Sequence, residues 1–295
     1  MKLINGKKIS NKILKKLKFR VSKFPNPQIP KLAVILVGKN PASRLYVKIK
    51  QKRAKEIGIG FKKYLLPENI KQKKITELIQ QLNDDKKITA ILVQLPLPKH
   101  LDTNKIISAI NPQKDADGIH PQHLKMLQQG KTPPVLPATT GAIIQAIKST
   151  HVSLKNKSVA IIGKSKIVGL PTYYYLRNRV RQINIYDSAT KDLAAKTATA
   201  DILIAAIGSP KFITAKYIKP GAIVIDVGIN KIYPVKSSKA GIMQFNGVNG
   251  QTVGDIDAKS IKNKAKYLTP VPGGIGPITV SILLKNVYES TINTN

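Results

Sequence analysis

Short apolar runs, most of them ending at glycine or proline, recur along this chain of 295 residues. Each contains about five apolar or β-branched residues, which is typical of buried parallel strands. The runs are KLAVILVG at 31–38, ITAILVQLP at 88–96, SVAIIG at 158–163, QINIYD at 182–187, ADILIAAIG at 200–208 and GAIVIDVG at 221–228. Amphipathic helix patterns lie between them, as at residues 43–57 and 75–82. Strands that alternate with helices predict an α/β fold with parallel sheets.

Residues 128–141 predict a boundary between two domains. They read QQGKTPPVLPATTG, and a high content of Pro, Thr and Gly is typical of a connecting loop. A second series of strand patterns follows from residue 158. We therefore expect one α/β domain at residues 1–137 and a doubly wound, Rossmann-like domain at 138–268, with a final helix at 278–288.

Composition excludes several classes of protein. The chain has no Cys, which excludes disulfides, thiolate metal sites and cysteine nucleophiles. Its four His residues show no spacing with acids that predicts a metal site, so we expect no metal. The longest apolar runs have strand length and the first residues show no apolar signal segment. We therefore expect a soluble cytoplasmic protein that does not bind to membranes.

The net charge of +35 favours an alternative function, nucleic-acid binding. Lys and Arg together number 50, but only 6 are Arg, and the lysines are spread along nearly the whole chain. A nucleic-acid site is typically a patch in which Arg is prominent, and an aromatic content of 5% is low for base stacking. We interpret the lysines as solvated surface residues and expect no specific nucleic-acid partner.

A glycine-rich turn follows the apolar run at 158–163. GKSKIVG, at 163–169, precedes a predicted helix, and the free N–H groups at such a helix start bind phosphate. The middle glycine of the dinucleotide fingerprint is replaced by Ser165, so the turn alone is also typical of an ordinary strand-to-helix connection. Asp187 ends the next strand, where an acid that binds ribose is expected.

Polar residues of the first domain are candidates for chemistry. Tyr46 and Lys50 are four apart on a predicted helix and share a face, although a lysine in so basic a chain is most often a surface residue. Gln94 ends a buried strand, where open α/β sheets place ligand contacts, and its alternative interpretation is a polar strand end. Asp117 follows Asp115 in KDADGIHP, a pattern that is also typical of an Asx turn.

Residues 269–277 are the most unusual stretch of the chain. TPVPGGIGP contains three prolines and three glycines, which fix a backbone that can approach a flat ligand closely.

Together these segments resemble one enzyme family. NPASRLYVKIKQKRAKEIGI, ILVQLPLP, KDADGIHP, GKSKIVGLP, GAIVIDVGIN and TPVPGGIGPITV occur in the order and spacing of the bifunctional methylenetetrahydrofolate dehydrogenase / methenyltetrahydrofolate cyclohydrolase family. The resemblance implies oxidation of 5,10-methylenetetrahydrofolate to the 5,10-methenyl form with NADP, then hydrolysis to 10-formyltetrahydrofolate. It also implies a folate-binding first domain completed by residues 269–295, an NADP-binding second domain, and a homodimer formed through the second domains.

The resemblance implies roles for individual residues. Lys50 matches the catalytic lysine, Tyr46 the tyrosine that packs on the aminobenzoyl ring of folate, and Gln94 the glutamine that orients the lysine. Asp117 matches the acid that binds the pterin. The residues that match the loop over the folate are Pro272, Gly273 and Gly274, and those that match nucleotide contacts are Gly163, Lys164, Ser165, Ser188 and Ile229.

Departures from the family leave alternatives open. Residues 137–141 read PATTG, one residue shorter than the family's P-C-T-P-x-G, and residues 233–253 form a longer segment than usual, which we expect to be a surface excursion. Asp187 makes NAD the alternative cofactor. The alternative functions are a monofunctional dehydrogenase, the nucleic-acid-binding protein, and a Rossmann-type interaction module that has lost its catalytic residues.

Overall fold

The computed structural model describes residues 1–25, 28–232 and 250–293. The chain forms two compact units: the central unit, Met1–Lys7 with Ile143–Gly276, and the N-terminal unit, Lys8–Ala142 with Pro277–Asn295. Both contain parallel strands separated by helices, which confirms the expected α/β fold of two domains. Residues 233–249, most of the expected surface excursion, lie outside the described residues.

Strands and helices alternate along most of the described chain. The strands are β1 (Lys2–Leu3), β2 (Lys31–Val37), β3 (Gly60–Leu66), β4 (Ala90–Val93), β5 (Ser158–Ile162), β6 (Gln182–Tyr186), β7 (Ile202–Ala205), β8 (Ile223–Asp226), β9 (Asn230–Ile232), β10 (Gln251–Val253) and β11 (Tyr267–Leu268). The helices are α1 (Gly6–Val21), α2 (Pro41–Glu56), α3 (Gln72–Asp84), α4 (Thr103–Ser108), α5 (Pro121–Gln128), α6 (Ala138–Lys148), α7 (Gly169–Leu176), α8 (Leu193–Thr197) and α9 (Ile275–Asn293). Across the described ranges, none of the helices combines the length and hydrophobicity that a bilayer span requires.

The unit boundaries differ from those expected. They fall at Ala142 and Gly276 rather than at residues 137 and 268, and residues 1–7 belong to the central unit. Strand pairing explains why residues 1–7 belong to the central unit, because β1 pairs in parallel with β11, which in turn pairs with β8. A strand of two residues shows no periodicity in the sequence, so this pairing could not be predicted.

The N-terminal unit is built on a three-stranded parallel sheet in the order β3-β2-β4. The central strand β2 is almost completely buried, as its continuous apolar sequence predicts. The apolar face of α3, formed by Ile75, Ile79 and Leu82, belongs to the same core. Strand β3 has the sequence GFKKYLL and was not predicted, because Lys62 and Lys63 interrupt its apolar pattern. As an edge strand it exposes both lysines to solvent.

The central unit contains a six-stranded parallel sheet in the order β1-β11-β8-β7-β5-β6. The four apolar runs between residues 158 and 228 form β5 to β8, as predicted. After β5 the chain adds β6 on one side and then crosses back to place β7 and β8 on the other. The carboxyl end of β5 is therefore the topological switch point, where doubly wound sheets bind their ligands.

Candidate active site

Lys50 lies on the buried face of α2. The helix begins after Asn40, whose side-chain oxygen accepts a hydrogen bond from Ser43 N (3.0 Å), and Pro41 occupies the first turn. The buried positions of the helix are Ser43, Val47, Lys50 and Ala54, which recur with helical spacing. Of the apolar residues from which we predicted a helix, Ala54 lies on this face, whereas Leu45 is 53% and Ile49 is 39% exposed. Lys50 therefore occupies a position that normally holds an apolar residue.

The Lys50 ammonium binds the side chain of Gln94. Lys50 Nζ donates to Gln94 Oε1 at 2.9 Å, and the two residues are only 8% and 9% exposed. Gln94 directly follows β4, and its Nε2 donates to the carbonyl of Leu95 at 2.6 Å. That second bond fixes the amide so that its oxygen faces the lysine. The partner of the lysine is thus neutral, and it orients Nζ without neutralising its charge.

Burial lowers the pKa of Lys50, because the charged form loses its hydration, while the negative charge of Asp117 opposes this shift. Burial likewise raises the pKa of Asp117, the Lys50 charge lowers it, and the neighbouring Asp115 raises it further. Tyr46 lies one turn before Lys50, is half-buried, and has its pKa raised by burial. A buried lysine with a lowered pKa can take up and return a proton near neutral pH.

Lys114 and Asp115 hold the turn that carries Asp117. Lys114 Nζ donates to three carbonyls at the end of α3, those of Leu82 (3.0 Å), Asn83 (2.7 Å) and Asp85 (2.9 Å). Such an ammonium caps the helix and anchors the turn on it. We predicted no role for Lys114 from the sequence, although a lysine directly before the acidic turn was the available signal.

Asp115 is a structural acid rather than a ligand. It is 1% exposed; its Oδ1 accepts from Asp117 N (3.1 Å) and its Oδ2 from His120 N (2.7 Å). Asp115 therefore makes the turn that the Asx-turn interpretation predicts. Asp117 stays the candidate ligand of the same segment. Among the described residues, no hydrogen-bond donor contacts the Asp117 carboxylate, which is half-buried.

The final helix α9 secures this segment within the N-terminal unit. Asn286 Nδ2 donates to the carbonyls of Ala116 and Leu136, both at 3.0 Å, and Asn286 is buried. Gly118 has φ +71°, and a Cβ atom there would overlap the backbone of Leu136. The glycine after Asp117 is therefore required by close packing. Nothing local in the sequence reveals the Asn286 contact, since it joins positions far apart in the chain.

In the central unit, the turn after β5 has the close backbone packing that a phosphate turn needs. Gly163 has φ +118°, a Cβ atom there would overlap Ala206 O, and one on Gly169 would overlap Gly163 O. Ser165 Oγ accepts hydrogen bonds from Val168 N (3.2 Å) and Gly169 N (3.4 Å) at the start of α7. The serine that replaces the fingerprint glycine thus binds the N–H groups of the N-cap residue and of the first residue of α7.

Lys164 and Asp187, which we expected to favour different cofactors, form an ion pair. Lys164 Nζ lies 2.8 Å from Asp187 Oδ2, and both side chains are about half exposed. Thr190 Oγ1 donates to Asp187 Oδ1 at 2.9 Å. Hydrogen bonds from Lys164 and Thr190 lower the pKa of Asp187, so it is ionised at neutral pH. Ser188, beside Asp187, is exposed, as is Ile229 in the loop after β8.

The proline- and glycine-rich loop also belongs to the central unit. Gly273 has φ +103°, and its carbonyl accepts a hydrogen bond from Gly6 N at 3.0 Å. The Val271–Pro272 bond is cis, and a Cβ atom on Gly274 would lie 2.5 Å from Pro270 O. The structure therefore places Lys50, Tyr46, Gln94 and Asp117 in the N-terminal unit. Pro272 to Gly274 and the five candidate nucleotide residues lie in the central unit.

A doubly wound sheet with a glycine turn at its switch point defines a dinucleotide-binding enzyme, here with a buried lysine in a second α/β unit. Comparison with known families identifies it further. Residues 4–117 match the catalytic domain, and residues 137–295 the NAD(P)-binding domain, of tetrahydrofolate dehydrogenase/cyclohydrolase. The chain belongs to this family, as the sequence motifs predict. Membership favours the enzyme over the nucleic-acid-binding alternative.

Similar proteins span the whole chain. The bifunctional protein FolD of Sulfurihydrogenibium is 42% identical, covering 98% of this chain and 97% of that protein. The structure of the FolD enzyme of Campylobacter jejuni matches with a TM-score of 0.90 and 39% identity over 100% of both chains. The Trypanosoma brucei enzyme, solved with NADP cofactor and inhibitor, matches with a TM-score of 0.90 and 32% identity, covering 99% of this chain and 97% of that one. In the part of the chain that the structure describes, no group of three or more His, Cys, Asp or Glu residues forms a metal site.

Substitution of the two neighbouring acids by alanine separates their roles. Asp115→Ala leaves the buried N–H groups of Asp117 and His120 unpaired and should lower the free energy of unfolding by about 2–3 kcal/mol. Asp117→Ala should preserve or raise this free energy at pH 8, because the raised pKa means that ionisation of Asp117 opposes folding as pH increases. It should instead weaken binding of 5,10-methenyltetrahydrofolate by at least about tenfold.

Urea denaturation at pH 8 and a ligand titration measure the two effects. If Asp117→Ala lost more stability than Asp115→Ala and bound the folate normally, the assignment of the two acids would be reversed.

Proposed function

We propose that this protein oxidises 5,10-methylenetetrahydrofolate to 5,10-methenyltetrahydrofolate with NADP and then hydrolyses the product to 10-formyltetrahydrofolate. The observation that carries this proposal is the buried Lys50–Gln94 pair, which supplies a proton-transfer group to a member of the tetrahydrofolate dehydrogenase/cyclohydrolase family. A monofunctional dehydrogenase would have no use for a lysine held in this way. The 42% identity to a bifunctional relative supports both activities.

The oxidation requires positioning more than acid–base catalysis. When bound, NADP would supply the acceptor for the hydride of the methylene carbon, and the two flanking nitrogens of the folate would stabilise the resulting cation. In this proposal Tyr46 packs against the aminobenzoyl ring and Asp117 accepts hydrogen bonds from the pterin. Pro272, Gly273 and Gly274 match the loop that covers the folate in this family. Burial lowers the pKa of Lys50, which reduces the repulsion between its charge and the developing cation.

Hydrolysis does require proton transfer. A water molecule attacks the methenyl carbon, and Lys50 Nζ takes a proton from it as the C–O bond forms. The tetrahedral adduct then loses its bond to N5, which receives a proton from the Lys50 ammonium, while the hydroxyl of the adduct loses its proton to water and becomes the carbonyl of the formyl group on N10. The overall reaction consumes one water and releases one proton. Gln94 holds Nζ in place throughout, because its own amide is fixed by Leu95 O.

Replacement of Lys50 should reduce the cyclohydrolase activity more than the dehydrogenase activity. Lys50→Met keeps the length of the side chain but removes the proton-transfer group, so cyclohydrolase activity should fall roughly a hundredfold or more. Dehydrogenase activity should fall less, since hydride transfer has no proton step at this residue. Lys48→Met, at an exposed position of the same helix, is the matched control and should preserve both activities. Spectrophotometric assays of NADPH formation and of methenyl disappearance measure them separately.

Equal loss of both activities in Lys50→Met, with folate affinity unchanged, would contradict this division of labour. Normal hydrolysis in Lys50→Met would contradict the proposed role of the lysine altogether.

The residues of the central unit fit NADP. Gly163 and Gly169 allow the turn after β5 to pack closely against Ala206 and against itself, which a Cβ atom at either position would prevent, and this packing supports a phosphate-binding turn at the start of α7. Lys164, Ser165 and Ser188 supply a charge and hydroxyl groups, and Ile229 an exposed apolar contact. Asp187 competes with a 2′-phosphate for Lys164, but the phosphate carries more negative charge and makes bonds to both Lys164 and Ser188. NADP is therefore the preferred cofactor and NAD the weaker one.

Cofactor preference should respond in opposite directions to the two members of the ion pair. Lys164→Ala should reduce the ratio of kcat/KM for NADP to that for NAD, whereas Asp187→Ala should raise it by roughly fivefold, because an exposed charge contributes about 1 kcal/mol. Lys166→Ala, an exposed lysine of the same turn, is the control and should change the ratio little. A wild-type enzyme that prefers NAD and loses this preference in Asp187→Ala would overturn the choice of NADP.

We also propose a homodimer formed through the central unit. Three of the six arginines lie at residues 177–181, directly after Tyr173, Tyr174 and Tyr175. Arg177 stacks on Tyr174 with 5.3 Å between Cζ and the ring centroid, and Arg179 on Tyr175 with 4.1 Å. Tyr and Arg are the residues that dominate binding energy at protein interfaces. Strand β6, which follows, is an edge strand of the described sheet with half-exposed isoleucines.

Light scattering tests the dimer. The wild-type protein should have twice the monomer mass, and the double variant Tyr175→Ala, Arg179→Glu should dissociate, while Arg20→Glu, on α1, should not. A monomeric wild type at micromolar concentration, or a double variant that remains dimeric, would contradict the proposed surface. The cytoplasmic location expected from the sequence stays a prediction.

A further inference from the structure

Two buried carboxylates lie at the carboxyl end of the large sheet and have no role in the mechanism above. Asp226 is the last residue of β8 and is 3% exposed, and Asp255 follows β10 and is 0% exposed. Among the described residues, neither forms an ion pair with Lys or Arg. Two buried acids without a cation are costly to fold, so their presence calls for a compensating set of contacts.

Backbone N–H groups provide the contacts of Asp226. Its Oδ1 accepts from Gly228 N and Asp255 N, and its Oδ2 accepts from Ile256 N, all at 3.0 Å. Burial nevertheless raises the pKa of Asp226 to about 7, with a further increase from the Asp255 charge and an opposing effect of the three N–H groups. One carboxylate thus ties the loop after β8 to the segment after β10.

Asp255 extends the network to a third segment. Its Oδ2 accepts from Ile207 N (2.8 Å) and Gly208 N (3.1 Å), in the loop after β7. Its Oδ1 accepts from Asn230 Nδ2 at 2.9 Å, in the segment that follows β8. The loops after both strands are therefore fixed by the same side chain.

The neighbouring glycines are explained by these two acids. A Cβ atom on Gly228 would overlap the Asp255 carboxylate, and one on Gly254 would overlap the Asp226 carboxylate. Asp226 also joins the proline- and glycine-rich loop, because its N–H donates to Oγ1 of the fully buried Thr269 at 2.7 Å. The acids and the glycines form one closely packed cluster that connects four segments of the central unit.

The position of the cluster connects it with the dinucleotide site. The loops after β7 and β8 lie at the carboxyl edge of the parallel sheet, where doubly wound folds bind nucleotide. Ile229, a candidate nucleotide contact, lies between Gly228 and Asn230, and both of these are held by the acids. Loop backbone positioned by fixed hydrogen bonds reduces the entropy that ligand binding would otherwise lose.

We propose that Asp226 and Asp255 are positioning residues of the dinucleotide site, which hold the loops after β7 and β8 in the conformation that binds the cofactor. The inference rests on the proposed function. It assigns to these acids no contact with the reacting atoms, and it predicts that their loss weakens nucleotide binding while the nucleotide-independent hydrolysis continues.

The bifunctional reaction supplies an internal control. Asp255→Ala removes three hydrogen bonds and should weaken NADPH binding, measured by fluorescence titration, by about tenfold or more. Hydrolysis of 5,10-methenyltetrahydrofolate without nucleotide should stay within about threefold of wild type, since a change in the dinucleotide loops alone leaves the Lys50–Gln94 pair intact. Asp255→Asn should be milder, because Asn can keep its oxygen on the two N–H groups while the amide of Asn230 turns to pair with its nitrogen.

Two further variants separate positioning from a general loss of structure. Asp201→Asn removes a carboxylate at the opposite end of the same sheet, where it binds Ser158 and Lys219, and should reduce stability without changing NADPH affinity. Asn230→Ala removes a single bond of the network and should weaken NADPH binding by several-fold even if Asp255→Ala does not fold.

Unchanged NADPH affinity in folded Asp255→Ala or Asn230→Ala would overturn the inference. Equal loss of NADPH binding and of hydrolysis in the Asp255 variants would also overturn it, because it would show a merely structural role. A wild-type protein that binds no dinucleotide would instead contradict the proposed function itself.

Discussion

In the proposed mechanism, the chemistry depends on one buried polar contact, that between Lys50 Nζ and Gln94 Oε1. An ammonium at an apolar helix position loses much of its hydration, and a neutral amide returns only one hydrogen bond. Burial therefore shifts the balance toward the free amine, which is the form needed to accept a proton. Asp117 limits this effect through its charge, so the lysine remains able to hold the proton that it must later release.

The surrounding structure serves to keep that contact in place. Asn40 and Pro41 fix the start of α2, and the end of β4 fixes Gln94. Lys114 and Asp115 use their charges on backbone groups, which leaves the carboxylate of Asp117 available. In the central unit, Asp226 and Asp255 likewise accept hydrogen bonds from backbone N–H groups, which belong to the loops at the edge of the sheet. In both units, side chains that have no contact with the reacting atoms in the proposed mechanism fix the backbone of the segments that bind the ligands.

Much of the fold followed from the sequence, because buried parallel strands have continuous apolar sequences and glycines mark their ends. The predictions failed where a contact was not local or a strand was not buried: β1 has two residues, and β3 contains Lys62 and Lys63. The helix bearing Lys50 was predicted in part from Leu45 and Ile49, which are exposed, so the buried state of the lysine could not be inferred from periodicity. The contacts of Lys114, Asn286 and Asp255 join distant segments and leave no local pattern. Asp226 differs from these residues, because an acid at the end of an apolar run is a local signal in a chain with only 15 acids. We nevertheless predicted no role for it from the sequence.

The most direct test of the account is the titration of Lys50 itself. Competitive acetylation across a pH series, followed by peptide mass spectrometry, gives the midpoint of its ionisation independently of how accessible the amine is. We expect a midpoint clearly below the usual lysine value, and the same midpoint in the pH dependence of methenyltetrahydrofolate hydrolysis. A Lys50 that titrates at the usual lysine value, while hydrolysis proceeds normally at neutral pH, would contradict it.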